Sequence, residues 1–339
     1  MLNKAYIDLK ILQKNARAIK KKLKYDTKFC AVVKADAYGH GAEKIASALY
    51  PYCDSFAVAL VDEGISLRLA GIKKDILVLT PPFGADIERA VFYNLTLSVG
   101  EISTLKKVEK ACEKQNRKAK IHLKFNTGMN RLGVDTLKEL SVLAKFAVGS
   151  KYLLLDGMFT HLGDFTNKKQ LISAQNKFLL ANNLIKGYNN NATCHISASG
   201  GLLAGLKGDM VRIGILLYGY KPFESDVLKV SPIMKIYAPL LKVRQIKRGE
   251  NCLYGSMKVG DDLNVGLVRV GYADGFMRKN VWGLLNNRCM DITAINNPKV
   301  TGKGVLVMDN ADILAKQYHT ISYEILTKCA MRAEKIYLN

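Results

Sequence analysis

Residues 28–41 read KFCAVVKADAYGHG: six residues suited to a buried strand, then a lysine, then a turn that contains two glycines. A short run of apolar and β-branched residues that ends at such a turn fits a strand covered on both faces. The residues that follow, GAEKIASALY, carry their apolar positions three and four apart, as a helix packed on one side requires. The unit is therefore strand, turn, helix, with a lysine at the strand's carboxyl end.

The same unit recurs downstream. Candidate strands are SFAVAL (55–60), ILVLT (76–80), LTLSV (95–99), AKIHLKF (119–125), LLDGMFT (154–160), TCHIS (193–197) and MVRIGI (210–215). Between them lie helical patterns such as VDEGISLRLAG, EISTLKKVEKACEKQ, TLKELSVLAKFAV and KQLISAQNKFLLANNLIKGY. Eight strand-helix units predict an α/β fold, an N-terminal (β/α)8 TIM-like barrel, with an open doubly wound sheet as the alternative. After Tyr220 the helical patterns stop, and extended runs such as MKIYAPLLKVRQI, VGLVRVGY and HTISYEILTK predict a mostly β C-terminal domain. The division expected is 1–225 and 226–339, with an opening strand at about 3–9 (AYIDL) free to pair with the second domain. A chain of 339 residues has room for both units.

Composition narrows the functional classes. With 49% hydrophobic and 24% charged residues and seven prolines, the chain should be ordered from end to end. Its seven cysteines are scattered and never spaced as CxxC, which argues against a disulfide framework and against a metal site, and favours a reducing, cytoplasmic setting. The start, MLNKAYIDLK, lacks the apolar core of a signal peptide, and no segment reaches the roughly 18 consecutive apolar residues of a membrane span. The formal charge of +22 could attract nucleic acid, but the lysines are spread over many segments, and the densest run, Lys20 to Lys24, falls in an amphipathic helix. Solvated helix faces, with no nucleic-acid partner and no membrane, are the expectation.

In a β/α barrel the chemistry sits at the carboxyl ends of the strands. Those ends carry Lys34, Arg131 in KFNTGMNRLG, His161, Ser199, and Arg212 followed by Gly214 and Ile215. A lysine alone would be no more than a solvated loop residue. Emerging from a buried strand, Lys34 loses solvation, which lowers its pKa and makes it a competent nucleophilic amine. Tyr38 adds a phenol, and the small residues of SASGG and RIGI suit a phosphate held by backbone N–H groups. A phosphorylated aldehyde cofactor spanning lysine and phosphate site would account for both.

The segment AVVKADAYGHG resembles the cofactor-lysine signature of alanine racemases, and KFNTGMNRLG, GMFTHL, HISASG, VRIGILLYG, GYADG, RCMD and HTISYE resemble that family's later motifs in the same order, from Ala5 to about Tyr337. The resemblance implies that Lys34 carries pyridoxal 5′-phosphate and acts as the base on one face of the substrate Cα, with Tyr272 of GYADG as the base on the other. Racemisation needs two such acid/base groups on opposite sides. It further implies that Arg212 faces the pyridine nitrogen, where its high pKa makes the ring a weaker electron sink. His161 would relay between Tyr272 and Arg212, and Arg131 would steady the substrate carboxylate.

Ser199, Gly214, Ile215, Tyr38 and Tyr323 resemble phosphate ligands, Lys124 a lysine that can be carbamylated, and Met290 and Asp291 substrate-pocket residues supplied by a partner subunit. The implied protein is a homodimer with shared sites that converts L-alanine to D-alanine for peptidoglycan. The alternative is a related barrel-type racemase or decarboxylase acting on another amino acid. Three motifs depart from the family pattern: Asn126 replaces an aspartate, which puts carbamylation of Lys124 in doubt; NNRCMD lacks a glycine before Arg288; and HISASG lacks an asparagine beside Ser199.

Overall fold

The computed structural model describes residues 2–254, 258–278 and 288–339. The position where NNRCMD lacks its glycine, Asn287, lies outside them. Eight parallel strands form the first unit: β2 (Lys28–Val32), β3 (Ser55–Val58), β4 (Ile76–Val78), β5 (Thr96–Val99), β6 (Ala119–Lys124), β7 (Leu153–Phe159), β8 (Thr193–His195) and β9 (Met210–Ile213), after an opening strand β1 (Lys4–Asp8). Their order, β8-β7-β6-β5-β4-β3-β2-β9, leaves one seam. There Asp209 N donates to the Cys194 carbonyl at 3.0 Å and Arg212 N to the Ser197 carbonyl at 3.0 Å, so the sheet is nearly closed into a barrel. The strands expected from the apolar runs are the strands observed, because runs such as TLSV and MVRI are buried along their whole length.

β1 does not enter the barrel. It alternates half-buried and buried residues, with Ala5 and Ile7 turned inward. It pairs antiparallel with β10 (Met234–Ala238) and parallel with β16 (Glu334–Leu338). With β14 (Val300–Thr301) and β15 (Gly304–Met308) these make a five-stranded sheet. A separate antiparallel sheet holds β11 (Leu240–Ile246), β12 (Leu263–Val268) and β13 (Thr293–Asn296). No helix among the described residues is long and apolar enough to cross a membrane.

One expectation fails. Helices do not stop at Tyr220: Ala311–Tyr318 and Ser322–Cys329 are both helical, so HTISYEILTK is not an extended run. Ile321, Tyr323 and Ile325 alternate like a strand, but the residues that become buried are Ser322, Ile325, Leu326 and Cys329, which lie on one helical face. The preceding helix buries Ala311, Leu314, Ala315 and Tyr318 at the same spacing, is capped by Asn310, and ends at His319 with φ of 55°.

Because Ile7 is fully buried where the chain's two ends meet, Ile7→Ala should lower unfolding free energy by about 2–4 kcal/mol. A urea titration of the full chain followed by circular dichroism measures it, and an unchanged midpoint would mean that β1 is dispensable.

Candidate active site

Lys34 follows β2 directly and opens an unusual turn. Ala35, Asp36, Ala37 and Tyr38 all have φ between 52° and 55°, a left-handed run of four non-glycine residues. Each such residue costs roughly 1–2 kcal/mol, so the surroundings must enforce the geometry. They do so from three sides. Ala37 N donates to the Val33 carbonyl at 2.9 Å and Gly41 N to the Asp36 carbonyl at 2.9 Å. Buried His40 donates from Nδ1 to the carbonyls of Ala37 and Tyr38 at 2.9 and 3.0 Å. Glu63 accepts from Ala35 N at 2.6 Å with one oxygen and from Ala59 N at 2.7 Å with the other, tying the turn to the end of β3.

The C-terminal segment closes over this turn. A Cβ on Gly39 would lie 2.4 Å from the Leu326 carbonyl oxygen, so only glycine lets helix Ser322–Cys329 come this near. Lys335 pairs with Asp36 at 3.0 Å, and Tyr337 donates to the His40 carbonyl at 3.1 Å. The helix also brings Tyr323 to the barrel mouth, with its ring 5.9 Å from that of Tyr38.

There a cavity of about 340 Å³ is lined by Lys34, Tyr38, Lys124, Arg131, His161, Ser199, Arg212, Gly214, Ile215 and Tyr323, among others. Four of those side chains are cationic, and among the described residues no carboxylate lines it. Burial, then Arg131, lowers the Lys34 pKa, while Glu63 opposes. Burial, then Arg131, Arg212 and Lys34, lowers Lys124 to about 8. His161 falls to about 3 through burial and the same cations, so its imidazole stays neutral. Burial holds Tyr38 above its ordinary value and Tyr323 at about 12, so both phenols remain donors. On the opposite wall Ser199 Oγ accepts from Gly214 N at 3.1 Å, and a Cβ on Gly214 would lie 2.4 Å from the Tyr38 hydroxyl. Gly214 thus leaves room for the Tyr38 hydroxyl.

Arg212 is buried, and its guanidinium bonds His195 Nδ1 at 2.6 Å and the carbonyls of His195 and Thr160 at 3.0 and 2.7 Å. Burial lowers its pKa to about 10, which leaves it a cation at neutral pH. At the loop after β6, Asn126 accepts from Gly128 N and Asn130 N at 3.0 Å and donates to Asp135 at 2.6 Å. An aspartate could not make that last bond to another carboxylate.

Not every expected residue shares this cavity. Tyr272 opens a short 3-10 turn, is 42% exposed, and lines a separate hollow with Phe276, Tyr318 and Glu324. Met290 is exposed, and Asp291 accepts from Arg332 at 3.0 Å. Glu63, His40 and His195 were not singled out in the sequence; Glu63 and His40 shape the lysine turn and His195 holds Arg212.

Residues 7–222 match the family description "Alanine racemase, N-terminal domain" and residues 233–337 match "Alanine racemase, C-terminal domain". The alanine racemase of Lactobacillus acidophilus is 31% identical over 376 residues, covering 98% of this chain and 96% of that protein. That of Staphylococcus epidermidis is 31% identical over 335 residues, covering 91% and 87%. Among solved structures, alanine racemase of Clostridium difficile aligns with a TM-score of 0.91 at 29% identity, covering 100% of this chain and 96% of that one. The Bacillus anthracis alanine racemase with bound L-Ala-P aligns with a TM-score of 0.89 at 27% identity, covering 99% and 94%.

Charge crowding at Lys124 can be measured. With a folded pKa of about 8 against an ordinary 10.5, the unfolded chain binds more protons between those values, so stability should rise with pH across that window. Arg131→Met removes the largest repulsion, so the Lys124 amine should titrate above 8 and the rise should shrink. Lysine-selective NMR titration reads the amine, and a value that does not move would leave the shift to burial, Arg212 and Lys34.

Proposed function

Since this chain belongs to the alanine racemase family and is an amino-acid racemase, we propose that it interconverts L-alanine and D-alanine with pyridoxal 5′-phosphate held by Lys34. The observation that carries this reading is the cavity itself: three cationic side chains around the Lys34 amine of lowered pKa, with no carboxylate in the lining among the described residues. That donor set calls for a ligand with more than one negative charge, which a cofactor phosphate and a substrate carboxylate together provide.

The residues present fit the group. Lys34 would hold its aldehyde carbon, and Arg212 would stand toward the ring nitrogen. Tyr38, Tyr323, Ser199 and the backbone at Gly214 and Ile215 would receive the phosphate. When bound, pyridoxal phosphate withdraws electrons from the substrate Cα and so eases loss of its proton. The Lys34 amine, kept partly free of its own proton by burial and by Arg131, takes or returns a proton on one face of Cα. Arg131 at the mouth orients the substrate carboxylate. His161, neutral at working pH, can pass a hydrogen bond between a phenol and Arg212 without adding charge. Lys124, with its pKa of about 8, has a free-amine fraction that can accept carbon dioxide.

The second base is Tyr272, and it must come from another copy. Within one chain it faces a different hollow from Lys34. A two-fold homodimer that seats Tyr272, Met290 and Asp291 of one subunit at the mouth of the other would complete two equivalent sites. Seven scattered cysteines, never spaced as CxxC, suit a cytoplasmic enzyme, and the family resemblance supports a role in supplying D-alanine for peptidoglycan.

Borohydride reduction of the protein loaded with pyridoxal phosphate should fix a pyridoxyl group on Lys34, found by peptide mapping; its recovery on another lysine would overturn the assignment. The shared site has its own test. Lys34→Ala and Tyr272→Ala homodimers should each be nearly inactive. Unfolded together and refolded in equal amounts, they should recover roughly a quarter of wild-type activity, because about half the dimers are hybrids with one complete site. No recovery in a mixture shown by mass to contain hybrids would place both bases in one chain.

A further inference from the structure

Behind Arg212, on the side away from the cavity, a line of polar side chains runs through the barrel core. Arg212 Nη1 lies 2.6 Å from His195 Nδ1, His195 Nε2 lies 2.8 Å from His122 Nδ1, and His122 Nε2 lies 3.1 Å from Asp156 Oδ2. His195 and His122 are buried, whereas the Asp156 side chain is 37% exposed. Lys28 and Lys120, at the starts of β2 and β6, are close enough to help hold the Asp156 carboxyl below its ordinary pKa. The line therefore begins at the cavity and ends at the opposite, N-terminal rim of the barrel.

Its hydrogens have one consistent arrangement. A guanidinium nitrogen can only donate, so His195 Nδ1 must accept and the His195 proton must sit on Nε2. That N–H donates to His122 Nδ1, which leaves the His122 proton on Nε2, pointing at Asp156. Reversing any link would set one N–H against another inside the core, an unsatisfied buried donor. Burial and Arg212 keep His195 well below its ordinary pKa, so the neutral tautomer is the one present.

The barrel is built around these rings. A Cβ on Gly157 would lie 2.6 Å from His122 Cε1 and 2.8 Å from its Nδ1, and the β6–β7 register shifts between Ile121 and His122. Phe159 stacks flat on His195, centroids 5.2 Å apart at 6°, and the Arg212 guanidinium lies 5.2 Å from the same ring. A glycine, a register shift and an aromatic plate all serve to seat two imidazoles.

The geometry points to Asp156, His122 and His195 as positioning residues for Arg212: a one-way chain of donors, anchored by a carboxylate on the far rim of the barrel, that fixes the guanidinium edge presented to the cavity. Arg212 sits among Lys34, Lys124 and Arg131, which push it away from the cavity mouth, while its own bonds reach only two carbonyls and this chain. The guanidinium, which can only donate, and the carboxylate, which accepts, demand the same bare nitrogens, and Asp156 anchors the far ring so that His195 stays placed to accept from Arg212. Only the kinetic consequence rests on the proposed racemase reading; the tautomers do not.

The test uses the full-length protein labelled with 15N-histidine, whose five histidines are assigned by single substitution. In the cofactor-free wild type, proton–nitrogen correlations should show Nε2–H and bare Nδ1 on both His122 and His195. Asp156→Ala should leave those tautomers in place, because Arg212 alone requires them, while the His122 Nε2–H signal moves on losing its carboxylate acceptor. In the loaded enzyme it should lower kcat about tenfold, as loss of one link in a charged hydrogen-bond chain does, with KM for alanine changed by less than about threefold. Asp156→Asn, which keeps an acceptor oxygen, should keep the wild-type tautomers and most of kcat.

A proton on Nδ1 of either ring in the wild type would overturn the proposal, and so would an Asp156→Ala enzyme with an unmoved His122 Nε2–H signal or unchanged kcat. Should Asp156→Ala fail to fold, the wild-type spectrum and the Asp156→Asn enzyme decide. A wild type that racemises nothing would count against the function, while its histidine spectrum would still judge the chain.

Discussion

Like-charge repulsion at the barrel mouth is the constraint from which the rest of the site follows. Lys34, Lys124, Arg131 and Arg212 share one lining that, among the described residues, holds no carboxylate. Unit charges about 4 Å apart interact by about 4 kcal/mol where the effective dielectric constant is about 20. Lysine can escape by releasing its proton, and both lysines are pushed that way. Arginine cannot, so Arg212 is held in place by carbonyls and an imidazole instead. The same field keeps His161 neutral. A cavity in this condition stores electrostatic energy that an anionic ligand releases on binding, so anion affinity and the lowered lysine pKa values share an origin.

Strain is the second requirement. Four consecutive left-handed residues would relax if left alone. Glu63 from the β3 side, His40 from within and Leu326, Lys335 and Tyr337 from the end of the chain hold them. The lysine is thus presented by a turn whose shape belongs to the whole molecule. Loosening any one support would misaim the amine without removing it.

The barrel was legible in the sequence because its strands are buried along their length and read as uninterrupted apolar runs, and Lys34 was legible because such a run ends on it. The segment 319–328 was misread because Ile321, Tyr323 and Ile325 satisfy a period of two while Ser322, Ile325, Leu326 and Cys329 satisfy a helix, and only packing against the lysine turn decides between them. Glu63 looked like an ordinary first-turn helix residue; nothing local says that both its oxygens accept backbone N–H groups. His122 and Asp156 sit inside strands 34 positions apart, and their contact exists only once β6 and β7 pair. Tyr272 carried no signal apart from its motif, since its surroundings in one chain are unlike those of the amine.

The pairing of β1 with β10 and β16 has a consequence for how the molecule comes into being. Tyr337 and His40, which meet through one hydrogen bond, are 297 positions apart. On a ribosome that emits the chain from its N-terminus, every barrel strand emerges before the segment that braces the lysine turn, and β1 waits through nearly the whole of synthesis for its parallel neighbour. The barrel can close early, but Lys34 takes its final pose only when Glu334–Leu338 leave the tunnel. A product cut short of that strand is therefore a barrel with an unbraced amine, so the strand acts as a late check on the nascent fold.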